Sequence, residues 1–323
     1  RFSASNTRAL HARLKPEDKK RLPWNPDEIQ WRDYWLNIHT RGFNTWAEPL
    51  LIEKLEKTKK PLRRHENLVS MIADMTERHE HALAFQRLEG EQLTRVTYFD
   101  VDRRSACVAS KLASMGIKPE DRVILCAKNH PDWPIAYFGA LRAGATAVPV
   151  DADIDASALA NIIRASGANV MLDDGAVDMP ADAKITRVNL HEIAADEPDL
   201  TAPEVEITDN MIASLIYTSG TTGDPKGVML SHENFTSLIA ALAPVFPLKQ
   251  SDRLLSVLPL HHTFEFTCGM LLPYSRGARV VYLDEVAGDR VVKGLELGKV
   301  TSMVGVPAVW QLLERRILGQ IKD

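Results

Sequence analysis

A chain of 323 residues with 45% hydrophobic and 25% charged side chains has room for a large buried core, which excludes a disordered chain and a single small module. The 39 Lys and Arg against 43 Asp and Glu leave a formal net charge of -4, too weak and of the wrong sign to hold nucleic acid non-specifically. Cys107, Cys126 and Cys268 are far apart and in no CxxC spacing, so neither a disulfide framework nor a zinc site is expected, and free thiols in a reducing cytosol fit best.

Residues 1–66 differ from the rest. They carry a formal charge of +6 against -10 for the remainder, and they hold Trp24, Trp31, Trp35 and Trp46, four of the six tryptophans. A basic, indole-rich stretch suits an anionic bilayer surface, so peripheral membrane contact through residues 1–66 is one reading. Asp27, Glu28 and Asp33, interleaved with the aromatics, weaken that attraction and favour packing of the tryptophans on the protein body. No apolar run approaches the roughly 18 residues of a membrane span, and the first thirty residues lack the apolar centre of a signal peptide. The opening on Arg1 implies that residues upstream are missing.

From about residue 67 helical periodicity alternates with short apolar runs. The spacing predicts a helix over 102–115, with Ala106, Ala109, Leu112 and Ala113 on one face and Gly116 as its stop. The apolar run 123–127 predicts a strand covered on both faces, as in a parallel sheet. Further strands are expected at 146–150, 169–172, 211–217, 254–258, 279–283 and 301–306, and helices at 134–142, 157–165, 234–243 and 308–318. This alternation predicts βαβ units, hence an α/β fold with sites at the carboxyl ends of strands. The Asp- and Pro-rich segment 175–209 reads as a junction between a first α/β half, 67–210, and a second, 211–323.

The most informative stretch is LIYTSGTTGDPKGVMLSH, residues 215–232. An apolar strand runs to Tyr217, and hydroxyl residues, glycines and one lysine crowd the ten positions 218–227. Gly220, Gly223 and Gly227 would let backbone N–H groups approach an anion. Thr218, Ser219, Thr221 and Thr222 offer hydroxyl donors, and Pro225 biases Asp224 toward an extended conformation that aims the Lys226 ammonium. Ser231 reads as the N-cap of the next helix. A flexible polar loop with a solvated lysine is the bland alternative, but the residue order speaks against it. It is not a Walker loop, because Gly227 follows the lysine. YTSGTTGDPKGV resembles, residue for residue, the signature loop of adenylate-forming enzymes, which include acyl-CoA synthetases, luciferases and peptide-synthetase adenylation domains.

Tyr98, Met115-Gly116, the 121–123 turn, Asn129 and GALRAGATAVP at 139–149 look like the same family's first half. Downstream, LPLHHTFE at 258–265 is similar to a stretch of long-chain fatty acyl-CoA synthetases, with His262 at the family's histidine position; His261 is not carried over. The resemblance implies an α/β fold of doubly wound sheets with flanking helices. It further implies ATP, Mg²⁺ and coenzyme A, and a fatty acid or other carboxylate as substrate. By the same resemblance Lys226 and His262 are catalytic, and Thr218, Ser219, Gly220, Thr221, Thr222, Gly223 and Lys226 hold the phosphates. His262, Phe264, Gly305 and Pro307 border the acyl and adenylate pocket, and no metal ligand is assigned. A carboxylate would attack the α-phosphate to give acyl-AMP and pyrophosphate, and a thiol, coenzyme A or the phosphopantetheine of a carrier protein, would then displace AMP.

The resemblance covers roughly 67–323 and reaches the middle of the family's large N-terminal domain. The YGxTE-type segment, the ribose-holding aspartate, the hinge and the small domain with its catalytic lysine have no counterpart here. The chain is therefore expected to be part of a longer synthetase and inactive alone. The alternative is a shortened, non-catalytic relative that binds nucleotide or a partner.

Overall fold

The computed structural model describes residues 9, 11–21, 45, 64–197, 200–218, 226–311 and 313–314. The chain divides into two compact units, residues 1–60 and 61–323, a division six residues before the composition boundary at 66. In the first unit a short helix, α1, spans Pro16–Arg21. The four N-terminal tryptophans lie outside the described residues.

The second unit opens with α2 (Leu68–His79), β1 (Leu83–Glu89), β2 (Gln92–Leu93), β3 (Val96–Thr97) and α3 (Tyr98–Ser114). Next come β4 (Arg122–Cys126), α4 (Asp132–Arg142), β5 (Thr146–Val150), α5 (Ala156–Ser166), β6 (Val170–Asp173), β7 (Thr186–Asn189) and α6 (Leu190–Ile193). Then follow β8 (Ile212–Thr218), β9 (Lys226–Ser231), α7 (His232–Leu242), β10 (Arg253–Ser256) and a π-helix, Glu265–Leu271. The last elements are α8 (Leu272–Ser275), β11 (Arg279–Tyr282), α9 (Gly288–Gly298) and β12 (Ser302–Met303).

Two six-stranded sheets result. The first has the order β7-β6-β4-β5-β8-β9, parallel except for the antiparallel pair β8–β9. The second has the order β12-β10-β11-β1-β2, with β3 also on β1; its β12, β10, β11 and β1 are parallel. The expected halves therefore do not coincide with the sheets. β1 crosses over to join the second sheet, while β8 and β9 complete the first. Segment 175–209 is more than a junction, since β7 extends the first sheet's edge and α6 follows it directly.

Alternation along the strands builds the layers. Val123 and Leu125 share one core with Phe85, Val280 and Tyr282 of the other sheet and with buried residues of α2, α3 and α4. Ile124 and Cys126 point the other way, onto Leu159 and Ile162 of α5. Val281 and Leu255 pack outward with Val291 of α9. Both sheets are thus covered on both faces, as the continuous apolar run 123–127 predicts. Tyr98, Tyr137, Phe85, Phe266 and Tyr274 fill the middle, with Tyr98 and Tyr274 at 4.7 Å between ring centroids and Tyr137 and Phe266 at 4.6 Å. Tyr98 Oη donates to the Ala278 carbonyl at 2.9 Å, and Tyr137 Oη shares a 2.7 Å hydrogen bond with Ser214 Oγ, so neither buried hydroxyl is orphaned.

α3 begins one turn earlier than the periodicity predicts, because Thr97 and Asp100 form a capping box. Its buried face runs through Val101, Ser105, Val108, Ala109 and Leu112; Ala106 is only partly buried and Ala113 is exposed, a correction of the expected stripe. Gly116 does end it, at φ +88°, with the Gly116 N–H on Ala113 O and the Ile117 N–H on Leu112 O, a Schellman closure. Among the described residues no helix is long and apolar enough to cross a membrane.

Candidate active site

β8 and β9 pair antiparallel in a register that sets Thr218 directly opposite Lys226. The seven residues between them, including Ser219, Gly220, Thr221, Thr222 and Gly223, lie outside the described residues, but both ends of that loop are pinned by the ladder at the carboxyl end of β8. Lys226 is exposed. Gly227 has another reason than backbone freedom: it is not among the positive-φ glycines, and a Cβ there would lie 2.8 Å from Leu215 Cδ1. Ser231 caps α7 as expected, its hydroxyl accepting the Asn234 N–H at 3.2 Å.

His262 and Phe264 follow β10 on the segment that enters the π-helix, and both are exposed, Phe264 by 51%. Gly305 and Pro307 follow β12, the neighbour of β10, so the two segments leave the carboxyl ends of adjacent parallel strands. The Gly305 carbonyl accepts Trp310 Nε1–H at 3.2 Å. Among the described residues no hydrogen bond or ion pair joins Lys226 to His262, Phe264, Gly305 or Pro307; these four follow neighbouring strands of the second sheet, and Lys226 is on the first.

The carboxyl ends of both sheets converge on a cavity of about 400 Å³, lined among others by Asn129, Asp151, Asp174, Ser256, His261 and Leu283. None of the expected site residues among the described ones lines it, while His261, Asn129 and Ser256, not expected at the site, do. His261, the histidine not carried over, sits half-buried with Nε2 3.8 Å from Asp151 Oδ2 and its ring 4.1 Å from that of His262. Burial and the neighbouring His262 lower its pKa, against the pull of Asp151 and Asp153. Asn129 Nδ2 donates to the Leu258 carbonyl at 2.7 Å, and Asn129 Oδ1 accepts the Leu260 N–H at 2.9 Å. One side-chain amide thereby holds the backbone that leads to His262. Ser256 Oγ donates to Glu265 Oε1 at 2.5 Å.

Glu265 is fully buried, and its Oε2 has no partner among the described residues. Burial pushes the carboxyl up to about 7, the Ser256 hydroxyl working in the opposite direction. Gly269, one turn on, provides the space, since a Cβ there would collide with the Glu265 carboxyl group. A π-helix starting at such a residue, directly after the histidine segment, is a usual mark of a functional site.

His130, Asp132 and His191 bring three potential metal-ligating atoms within 4.8 Å of one another. The other Asp132 oxygen is held by the Arg104 guanidinium, while His191 Nδ1 lies 2.7 Å and His130 Nδ1 3.1 Å from Oδ2. Although burial opposes it, the His130 hydrogen bond and Arg104 hold the carboxyl well below the usual range. A dication would have to sit beside Arg104, so the set fits an ion-pair knot tying α3, α4 and α6 rather than a metal centre.

In α/β sheets ligands bind outside the carboxyl ends of the strands, and the hydroxyl-, glycine- and lysine-bearing segment follows the carboxyl end of β8. The chain is a member of the AMP-binding enzyme family, which matches residues 72–322. It is 30% identical over 226 residues to feruloyl-CoA synthase of Amycolatopsis sp, covering 68% of this chain and 45% of that protein. Malpibaldin synthetase of Mortierella alpina is 30% identical over 243 residues, 73% of this chain and 4% of that protein. The fatty acyl-adenylate ligase from L. pneumophila, solved with acyl adenylate and pyrophosphate, superposes with a TM-score of 0.65 at 25% identity, over 76% of this chain and 45% of that one. The chain thus spans less than half the length of these relatives.

Proposed function

We propose that this chain supplies the phosphate loop and part of the acyl-side wall of an enzyme that activates a carboxylic acid as acyl-AMP and passes it to coenzyme A. The observation that carries the reading is the Thr218–Lys226 register, which closes YTSGTTGDPKG into a pinned loop at a strand's carboxyl end. Its donors suit polyphosphate: hydroxyls, glycine N–H groups and one ammonium as a point charge. Lys226 neutralises the β- and γ-phosphates as the α-phosphate is attacked; Mg²⁺, when bound, shares that charge, and coenzyme A supplies the thiol. Asn129 holds the His262 segment against the acyl group.

The acid we favour is a long-chain fatty acid, supported by the LPLHHTFE stretch and the exposed Phe264 beside His262. The likeness to feruloyl-CoA synthase favours a second reading, an aromatic acid. The free cysteines support a reducing cytosolic compartment. Pyrophosphate exchange by the full-length protein with palmitate, hexanoate and ferulate is the test. Palmitate is expected to give the highest kcat/KM; a preference for ferulate would transfer the assignment, and no exchange with any acid would leave a nucleotide-binding module.

A further inference from the structure

The amino ends of the second sheet carry charge that the carboxyl-end chemistry does not use. β10 and β11 run parallel with Arg253 in register with Arg279, so two guanidinium side chains leave the same face of adjacent strands, where like charges repel. Arg95, between β2 and β3, joins Arg279, His81, Gln250 and Ser251 around a cavity of about 580 Å³. No ion pair among the described residues involves any of the three arginines. Arg279 Nη1 donates to Gln86 Oε1 at 3.1 Å and Arg253 Nη1 to the Lys299 carbonyl at 3.4 Å, both neutral acceptors, and the buried Arg279 Nε has no partner among the described residues. The adjacent carboxylate, Asp252, is turned instead to Thr301 Oγ1 at 3.1 Å and the Lys249 N–H at 2.7 Å. Burial, Arg253 and Arg95 together lower the Arg279 pKa, the mark of a crowded cation.

We propose that this cavity binds a compact, multiply charged phosphate-bearing anion. Planar guanidiniums match phosphate oxygens two at a time, and Arg95 and Arg279 line this cavity with no carboxylate paired to either among the described residues. Gln250 and Ser251 add neutral donors at the rim. The depression is open to solvent and has room for more than one phosphate group, and the clustered guanidiniums favour a multiply charged ligand such as a diphosphate. The site lies at the opposite end of β10 and β11 from Ser256 and Leu283, which line the carboxyl-end cavity. It is therefore separate from the loop of Lys226 and does not rest on the adenylation reading.

Calorimetric titration of the 323-residue chain with pyrophosphate, at constant ionic strength and in a Lys226→Ala background that weakens the phosphate loop, is the experiment. Saturable binding is expected, weakened at least tenfold by Arg95→Gln and by Arg279→Gln, with inorganic phosphate at least tenfold weaker than pyrophosphate. Arg95 is exposed and unpaired among the described residues, so its substitution leaves folding intact. Without anion Arg95→Gln is expected to keep or raise the melting temperature, because it relieves repulsion, and to abolish the upward shift that pyrophosphate causes in the parent. Absence of saturable binding, or binding unchanged by Arg95→Gln, would overturn the site; equal affinity for phosphate and pyrophosphate would overturn its preference for a multiply charged ligand.

Discussion

Replacing Glu265 by glutamine should change the way stability depends on pH. The carboxyl titrates at about 7 in the folded protein against 4.5 for an ordinary glutamate, because burial disfavours the charged form. A folded pKa raised in this way contributes stability that is complete below pH 4.5 and is lost as pH rises through about 7. The loss amounts to about 3 kcal/mol at alkaline pH, an order-of-magnitude figure from the difference between the two pKa values. Glutamine keeps an acceptor for Ser256 Oγ but puts an amide where Oε2 stands alone, and whatever that costs is the same at every pH. The measurement is urea unfolding of parent and Glu265→Gln chains at intervals from pH 4.5 to 8.5. The gap between them should move in the variant's favour by about 3 kcal/mol across that range. Two curves that stay parallel would refute the reasoning and return Glu265 to an ordinary pKa.

His232 should act with the opposite sign. It is buried, its Nδ1 accepts the Leu68 N–H at 3.2 Å, and burial lowers its pKa to about 4, so its contribution is complete above pH 6.5 and lost as pH falls toward 4. His232→Asn, which keeps an acceptor, should flatten the acid limb of the unfolding curve by about 3 kcal/mol. Asn129→Ala strands the Leu258 carbonyl and the Leu260 N–H and should cost about 1–3 kcal/mol in urea unfolding, and Asn129→Asp should not rescue it because a carboxylate would face that carbonyl. In the full-length protein Lys226→Ala should slow adenylation roughly 10- to 150-fold, equivalent to about 1.5–3 kcal/mol, while sparing thioester formation from preformed acyl-AMP. Lys226→Arg should recover only part of the loss, and equal losses in both half-reactions would give Lys226 another role. Pyrophosphate exchange by the 323-residue chain alone should be absent, and robust exchange would show the nucleotide site to be sufficient as it stands.

The parallel strands of the first sheet are legible because burial on both faces writes itself as a continuous apolar run. The run at 146–150 coincides with β5, and 123–127 is within one residue of β4. β1 leaves no such mark, since LAFQRLE mixes Gln86 and Arg87 into a strand whose parallel partner, β11, lies nearly 200 residues away. β9 is hidden by Lys226 and Gly227, which read as loop chemistry until the ladder with β8 claims them. The strand expected at 301–306 shrinks to Ser302–Met303, and the helix at 308–318 is described only at 307–311 and 313–314. At the site, the LPLHHTFE stretch draws attention to His262, while the cavity belongs to His261 and Asn129. A side chain that closes a cavity from another element leaves no periodic trace in its own segment.

The interleaving of the two sheets also sets an order in time. Every strand of the first sheet lies between Arg122 and Ser231, so that sheet can close as soon as β9 has left the ribosome. β1, made first, pairs Phe85 with Val280, which is synthesised about 50 residues after β9, about 3–10 s later at ordinary elongation rates. Until then β1 is paired along one edge alone, with β2 and β3 that follow it directly, and the edge that β11 covers in the finished fold stays open. The nascent chain carries that one open strand edge until β11 is made, which makes the Leu83–Glu89 segment a natural target for a chaperone and a place where crowded chains would stick to one another.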